Sequence, residues 1–246
     1  MQLTIARRYC GPPESGNGGW VSGALAVHAA RDAEHPAVTV RLAAPPPLER
    51  ALDVLSEPVA DGTPTARLVD GEHLIATASA APDLVDAVPP PVTLDAARAA
   101  ESRYEGLADH PFPDCFVCGT GRDPGDALCL RPGPLDDGTG RYAATWVPRE
   151  SDVPLVWAAL DCPGGWSAGI AGRPMVLGTM TTRVLALPGV GEAHVILAWQ
   201  RGGEGRKHHS GSALFAPDGA LLARAEATWI AVDPTTFRPA SAKDRP

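Results

Sequence analysis

Apolar positions along the chain fall into short runs broken by glycine, proline and aspartate, the spacing of strands and turns. In the first half, Ala37 to Ala43, Arg50 to Val59, Ala66 to Val69 and Leu74 to Ala80 read as strands. Turn residues separate them at Pro45-Pro46-Pro47, Asp61-Gly62 and Asp70-Gly71. Ahead of these strands Gly18-Gly19 opens a stretch of small residues, Ala24, Leu25, Ala26, Val27, Ala29 and Ala30, whose apolar surface predicts a helix. The second half repeats this order. Gly164-Gly165 opens the predicted helix, and the strands run Val176 to Leu187, Ala193 to Arg201, His208 to Phe215 and Leu221 to Val232. Their turns fall at Pro188-Gly189, Gly202-Gly203 and Asp218-Gly219.

The two halves also match in sequence. Gly18-Gly19-Trp20-Val21-Ser22-Gly23 recurs as Gly164-Gly165-Trp166-Ser167-Ala168-Gly169, an offset of 146 residues. Leu74-Ile75-Ala76-Thr77-Ala78 recurs as Leu221-Leu222-Ala223-Arg224-Ala225, an offset of 147. Two matches in one order and nearly one register predict a duplicated unit. The expected organisation is a first unit over 1–81, a linker over 82–109, a second unit over 110–233 and a flexible tail over 234–246. The linker carries Pro89-Pro90-Pro91 and then an Ala-rich, charged stretch from Leu94 to Tyr104 of helical composition, expected on the surface.

Composition narrows the function classes. The 246 residues are 44% hydrophobic and 20% charged, enough apolar content for a full core. Aromatic residues make up only 5%, so the core is expected to rest on Ala, Val and Leu. A net charge of -8 repels a phosphate backbone, which excludes a general nucleic-acid binder. No run reaches the ~18 apolar residues of a membrane span, and no apolar leader follows Arg7-Arg8, so a cytoplasmic protein without membrane attachment is expected. Five cysteines, an odd number, argue for reduced thiols over a disulfide framework.

A strand, a glycine-led helix and an antiparallel meander around it resemble the hot-dog fold of acyl-CoA thioesterases and dehydratases. The segment Cys115-Phe116-Val117-Cys118-Gly119, with Pro124, Leu128 and Leu130 after it, is similar to a segment of PaaI-like members of the thioesterase superfamily. Gly16-Asn17-Gly18-Gly19 looks like the His-Gly-Gly motif of the same superfamily. Two departures stand out: Ala127 occupies a glycine position, and Asn17 replaces histidine. The resemblance implies an α+β double hot dog, two tandem units each with a central helix wrapped by an antiparallel sheet. It further implies hydrolysis of an acyl-CoA or related acyl thioester without a cofactor, by a monomer or homodimer of double hot-dog chains. A non-catalytic acyl-thioester or lipid-binding module and a structural pseudo-dimer are the alternatives.

Asp161 is the most conspicuous acid, because it interrupts the apolar run from Val153 to Leu160, where a charge is costly unless capped, paired or facing a cavity. Standing before Pro163, it reads equally as a helix cap or as a catalytic carboxylate. In the resembling enzymes an Asp or Glu attacks the thioester carbonyl or activates water, and a helix-start amide holds the oxyanion. Gly18, Gly19, Gly164 and Gly165 are the candidate amides, and Asn17 is a cap or a donor to a carbonyl. His110, Cys115, Cys118 and Cys129 form the one set with metal-ligand chemistry, but Cys129 sits in a strand-like Leu-Cys-Leu context, so no metal is expected. The chain lacks both Walker and Rossmann glycine patterns.

Overall fold

The computed structural model describes residues 1–58 and 64–233. Val59, the Asp61-Gly62 turn and the 234–246 tail lie outside the described residues. The strands are β1 (Gln2–Thr4), β2 (Ala37–Leu42), β3 (Ala51–Pro58), β4 (Pro64–Asp70), β5 (His73–Ala81), β6 (Gly133–Pro134), β7 (Tyr142–Trp146), β8 (Met175–Val184), β9 (His194–Glu204), β10 (Lys207–Phe215) and β11 (Leu221–Ala231). They form one antiparallel sheet in the order β1-β3-β4-β5-β2-β8-β11-β10-β9-β7-β6. The eight predicted strands lie on β2 to β5 and β8 to β11. Residues 1–4, 133–134 and 142–146 are too short for a pattern, and they become β1, β6 and β7 only through their neighbours.

The sheet has a centre of order at the β2–β8 junction, where Val38 faces Thr182 and Arg41 faces Thr179. Thr39 and Thr181 join their hydroxyls across it at 2.8 Å. Outward from this line the connectivity is the same on both sides: β2, β5, β4, β3 on one, and β8, β11, β10, β9 on the other. Leu74–Ala78 and Leu221–Ala225, the second sequence match, lie on β5 and β11, each one strand from the junction.

The glycine match behaves differently. Helix α1 (Gly18–Ala26) starts at its glycine pair, with the Asn17 side chain accepting from the Trp20 amide. The long helix α3 (Val153–Ser167) starts eleven residues before Gly164, capped by Asp152, which accepts from the Leu155 amide at 2.8 Å. The apolar run from Val153 is therefore the helix itself, and Pro154 in its first turn is the start signal. Pro163, Gly164 and Gly165 belong to the end of α3, which corrects the expectation that they open a helix.

Helix α1 packs on β2, β4 and β5, α3 packs on β7 to β11, and the two helices pack on each other. Their crossing is close enough to exclude methyl groups. A Cβ on Gly19 would lie 2.4 Å from Cβ of Asp161 and 2.8 Å from the Trp157 carbonyl oxygen. A Cβ on Gly23, one turn on, would lie 2.7 Å from Cα of Pro154. At the far end of α3, Cβ atoms on Gly164 and Gly165 would meet Ser210 Oγ at 2.7 Å and the Trp229 ring at 2.9 Å. These two glycines set α3 down on the sheet.

The stretch expected as a linker contributes a layer of its own. Helix α2 (Leu94–Glu101) is capped by Thr93 and buries Ala97 and Ala100 against Ala143, Val195, Leu197, Ala213 and Phe215. Because side chains alternate along a strand, Ile196 and Leu214 point to the opposite core, which contains α1 and α3. The Ala-rich stretch is thus a cover on the back of the sheet. Gly202 and Gly203, expected as a turn, lie inside β9, and the chain reverses at 205–206 instead. Among the described residues no helix is long and apolar enough to cross a membrane.

Gly19→Ala and Gly23→Ala test the crossing by sign. Helix propensity alone favours alanine by roughly 0.5–1 kcal/mol, whereas overpacking costs about 1–3 kcal/mol. Both variants are expected to unfold at lower denaturant concentration than the parent, and stabilisation of either would contradict the packing described.

Candidate active site

Beside the α1–α3 crossing lies a cavity of about 350 Å³. Its polar wall carries Asn17, Gly18, Asp161 and three cysteines, Cys115, Cys118 and Cys162. Leu42, Ile170, Met175, Leu177 and Ile230 supply an apolar wall. The cavity draws on both halves of the sequence, so Asn17 and Asp161 meet although 144 residues separate them.

Asp161 is 2% exposed. Its Oδ2 accepts the Gly19 amide at 2.9 Å and Asn17 Nδ2 at 3.0 Å. Its Oδ1 is buried with no hydrogen-bond partner among the described residues. Burial pushes the carboxyl up to about 7; the Gly19 amide opposes this, the nearby Cys115 adds to it, and the Asn17 amide opposes it. Asp161 does not cap its own helix, since it lies at mid-helix and Asp152 caps α3; its Oδ2 satisfies an amide in the first turn of α1 instead.

Asn17 does both things its chemistry allows. Its Oδ1 accepts the Trp20 amide at 2.9 Å, capping α1, and its Nδ2 donates to Asp161. This pair of contacts fixes which end of the side chain is oxygen. The same Nδ2 lies 3.8 Å from Cys162 Sγ and 3.9 Å from Cys115 Sγ.

The four glycines part company. Gly18 lines the cavity, and its amide, first in α1, donates to no acceptor among the described residues. The Gly19 amide is consumed by Asp161, so it is no oxyanion donor. Gly164 and Gly165 sit inside α3, where backbone amides serve the helix ladder, so neither offers a helix-start amide. Of the expected amides, Gly18 alone is free at a helix start, where the dipole favours negative charge.

The sulfur set also changes. Cys115, Cys118 and Cys162 gather with all three Sγ within 4.8 Å of one another, and Cys115 and Cys162 stand 3.6 Å apart. His110 Nε2 lies 3.4 Å from Cys118 Sγ. Cys129 is elsewhere: its backbone has φ of 51° and its thiol is directed to the Arg122 carbonyl at 3.9 Å. Cys162 takes the place expected for Cys129. Its position next to Asp161 was plain in the sequence, but only the packing of α3 against the 115–118 segment joins them. All five cysteines are free.

No protein family matches the chain by sequence, and no curated protein does. Solved structures do. A hot-dog protein of unknown function from Alicyclobacillus acidocaldarius superposes with a TM-score of 0.64 at 18% identity, covering 95% of this chain and 93% of the other. The chain has the hot-dog fold. The acyl-CoA thioesterase II TesB2 of Mycobacterium marinum shares it with a TM-score of 0.61 at 12% identity, over 96% and 94% of the two chains. So does the dehydratase domain of a mycocerosic acid synthase-like polyketide synthase, with a TM-score of 0.58 at 11% identity over 96% and 91%. Hot-dog neighbours thus span more than one chemistry, and the reaction has to be argued from the cavity.

Asn17→Ala removes the α1 cap and leaves Asp161 Oδ2 with the Gly19 amide as its one remaining donor among the described residues, so a loss of about 1–3 kcal/mol is expected in denaturant unfolding. Asn17→Ser keeps a capping oxygen and should regain roughly 1 kcal/mol of it. Wild-type stability in Asn17→Ala would show that this side chain does not tie the helices together.

Proposed function

We propose that the chain hydrolyses an acyl-CoA or related acyl thioester, and that it consists of two hot-dog units in tandem, 1–81 and 110–233, bridged by 82–109. The matching connectivity on either side of the β2–β8 junction supports the tandem reading. The observation that carries the reaction is that one cavity is lined both by Asp161, whose buried Oδ1 has no partner among the described residues, and by Gly18, whose amide stands first in α1 with no acceptor among them. The shared fold with an acyl-CoA thioesterase II is consistent with it.

In this reading the acyl chain lies along the apolar wall and the thioester carbonyl points to the Gly18 amide. Asp161 Oδ1 takes a proton from water as the water oxygen bonds to the carbonyl carbon. Negative charge developing on the carbonyl oxygen is met by the amide and the α1 dipole. The carbon–sulfur bond then breaks, and the proton held by Asp161 passes to the leaving thiolate. Asn17 and the Gly19 amide hold Oδ2, which leaves Oδ1 turned to the reacting atoms.

The test is turnover of short, long and aromatic acyl-CoA thioesters. Asp161→Asn keeps an oxygen for Gly19 and Asn17 but loses the base, so turnover should fall about a hundredfold or more with the melting temperature retained. A fully active and equally stable variant would remove Asp161 from the chemistry. The predominantly apolar lining favours a second reading, a non-catalytic acyl-binding module. That reading predicts a wild type that binds acyl thioesters and turns over none of them.

A further inference from the structure

We propose that Cys115, Cys118 and Cys162 form a three-thiolate site for one soft divalent cation, zinc being the natural occupant, with its fourth coordination position open to the cavity. The inference does not rest on the hydrolytic reading.

The geometry comes first. Sulfurs bound to zinc at about 2.3 Å in a tetrahedron stand roughly 3.8 Å apart. Cys115 and Cys162 are 3.6 Å apart, and the third sulfur closes a triangle in which no edge exceeds 4.8 Å. Two ligands come from a Cys-x-x-Cys segment and the third from α3, so the triangle is held by two separately anchored pieces of backbone.

The surroundings are built for sulfur that carries charge. Cys118 Sγ receives the Trp166 indole N–H at 3.5 Å. His110 Nδ1 accepts the Phe112 amide at 2.9 Å, so in the neutral ring Nε2 bears the proton and donates to Cys118. His110 therefore orients and supports a ligand without being one. Asn17 Nδ2 lies within reach of the other two sulfurs. Such N–H donors behind the ligands are what metal thiolates use to hold their charge. Three thiolates without a cation would be costly in this buried place, whereas a divalent cation displaces the three thiol protons to solvent and leaves a net charge of minus one.

The open position follows from exposure to the cavity. All three cysteines line it, as does Trp166, while no fourth His, Cys, Asp or Glu ligand atom among the described residues joins the group within 4.8 Å. A site with three protein ligands and a vacant corner accepts water or a small donor.

Cobalt(II) titration of the reduced full-length chain, followed by near-ultraviolet and visible absorption, tests this directly. One equivalent should produce thiolate-to-cobalt charge-transfer absorption with visible bands of tetrahedral intensity, and zinc should bleach both. Cys115→Ser, Cys118→Ser and Cys162→Ser should each lower the charge-transfer absorption by about a third or abolish binding, with circular dichroism checking the fold. Cys10→Ser and Cys129→Ser should leave the spectrum unchanged. Imidazole should shift the visible bands of the wild type, and bands that stay fixed would refute the open position. Absence of the charge-transfer absorption in the folded wild type would overturn the site. So would two of the five thiols lost to a Cys115–Cys162 disulfide that forms equally fast with and without zinc.

Discussion

The close crossing of α1 and α3 governs the rest of the structure. Gly19 and Gly23 let the two helices approach until backbone meets backbone, and Asp161 is pinned at the point of contact by the Gly19 amide. A side chain at either glycine would separate the helices, enlarge the cavity and withdraw the carboxylate's partner together. The helix that donates the Gly19 amide to this carboxylate also lines the cavity with its first residue, Gly18. Packing and the environment of the carboxyl are therefore one constraint here, with two N–H donors offsetting part of what burial costs its charged form.

The sheet fixes this crossing in space. Antiparallel pairing of β2 with β8 makes one surface out of strands from both halves, and α1 and α3 sit on neighbouring parts of it. The core above the sheet is richer in aromatic rings than a 5% aromatic content suggests. Trp157, Trp166 and Phe116 are among its largest fully buried side chains. Few rings suffice because they are placed at the helix crossing and the cavity wall, while Ala and Gly bring the backbones together around them.

The strands that form the sheet's middle were legible because turn residues bracket period-two or continuous apolar runs, and Leu74–Ala80 and Leu221–Val232 fall on β5 and β11 nearly to the residue. The second helix was not. Asp161-Cys162-Pro163 mimics a cap followed by a first-turn proline, and the true signal, Asp152 followed by Pro154, lies nine residues earlier. Gly164-Gly165 matches Gly18-Gly19 in letters while serving the opposite helix end. Asp161 and Asn17 were recognisable singly from an acid in an apolar run and a polar residue before a glycine pair. Their hydrogen bond, and the exchange of Cys129 for Cys162, depend on tertiary packing that no local spacing encodes.

A crystal structure with a ketone analogue of an acyl-CoA, in which a methylene group replaces the thioester sulfur, tests the assignment of the cavity most directly. The carbonyl oxygen is expected within hydrogen-bonding distance of the Gly18 amide, the carbonyl carbon facing Asp161 Oδ1 across the space for one water, and the acyl chain against Leu177 and Ile230. An analogue bound at another surface with this cavity unfilled, or one whose carbonyl points away from α1, would contradict the account.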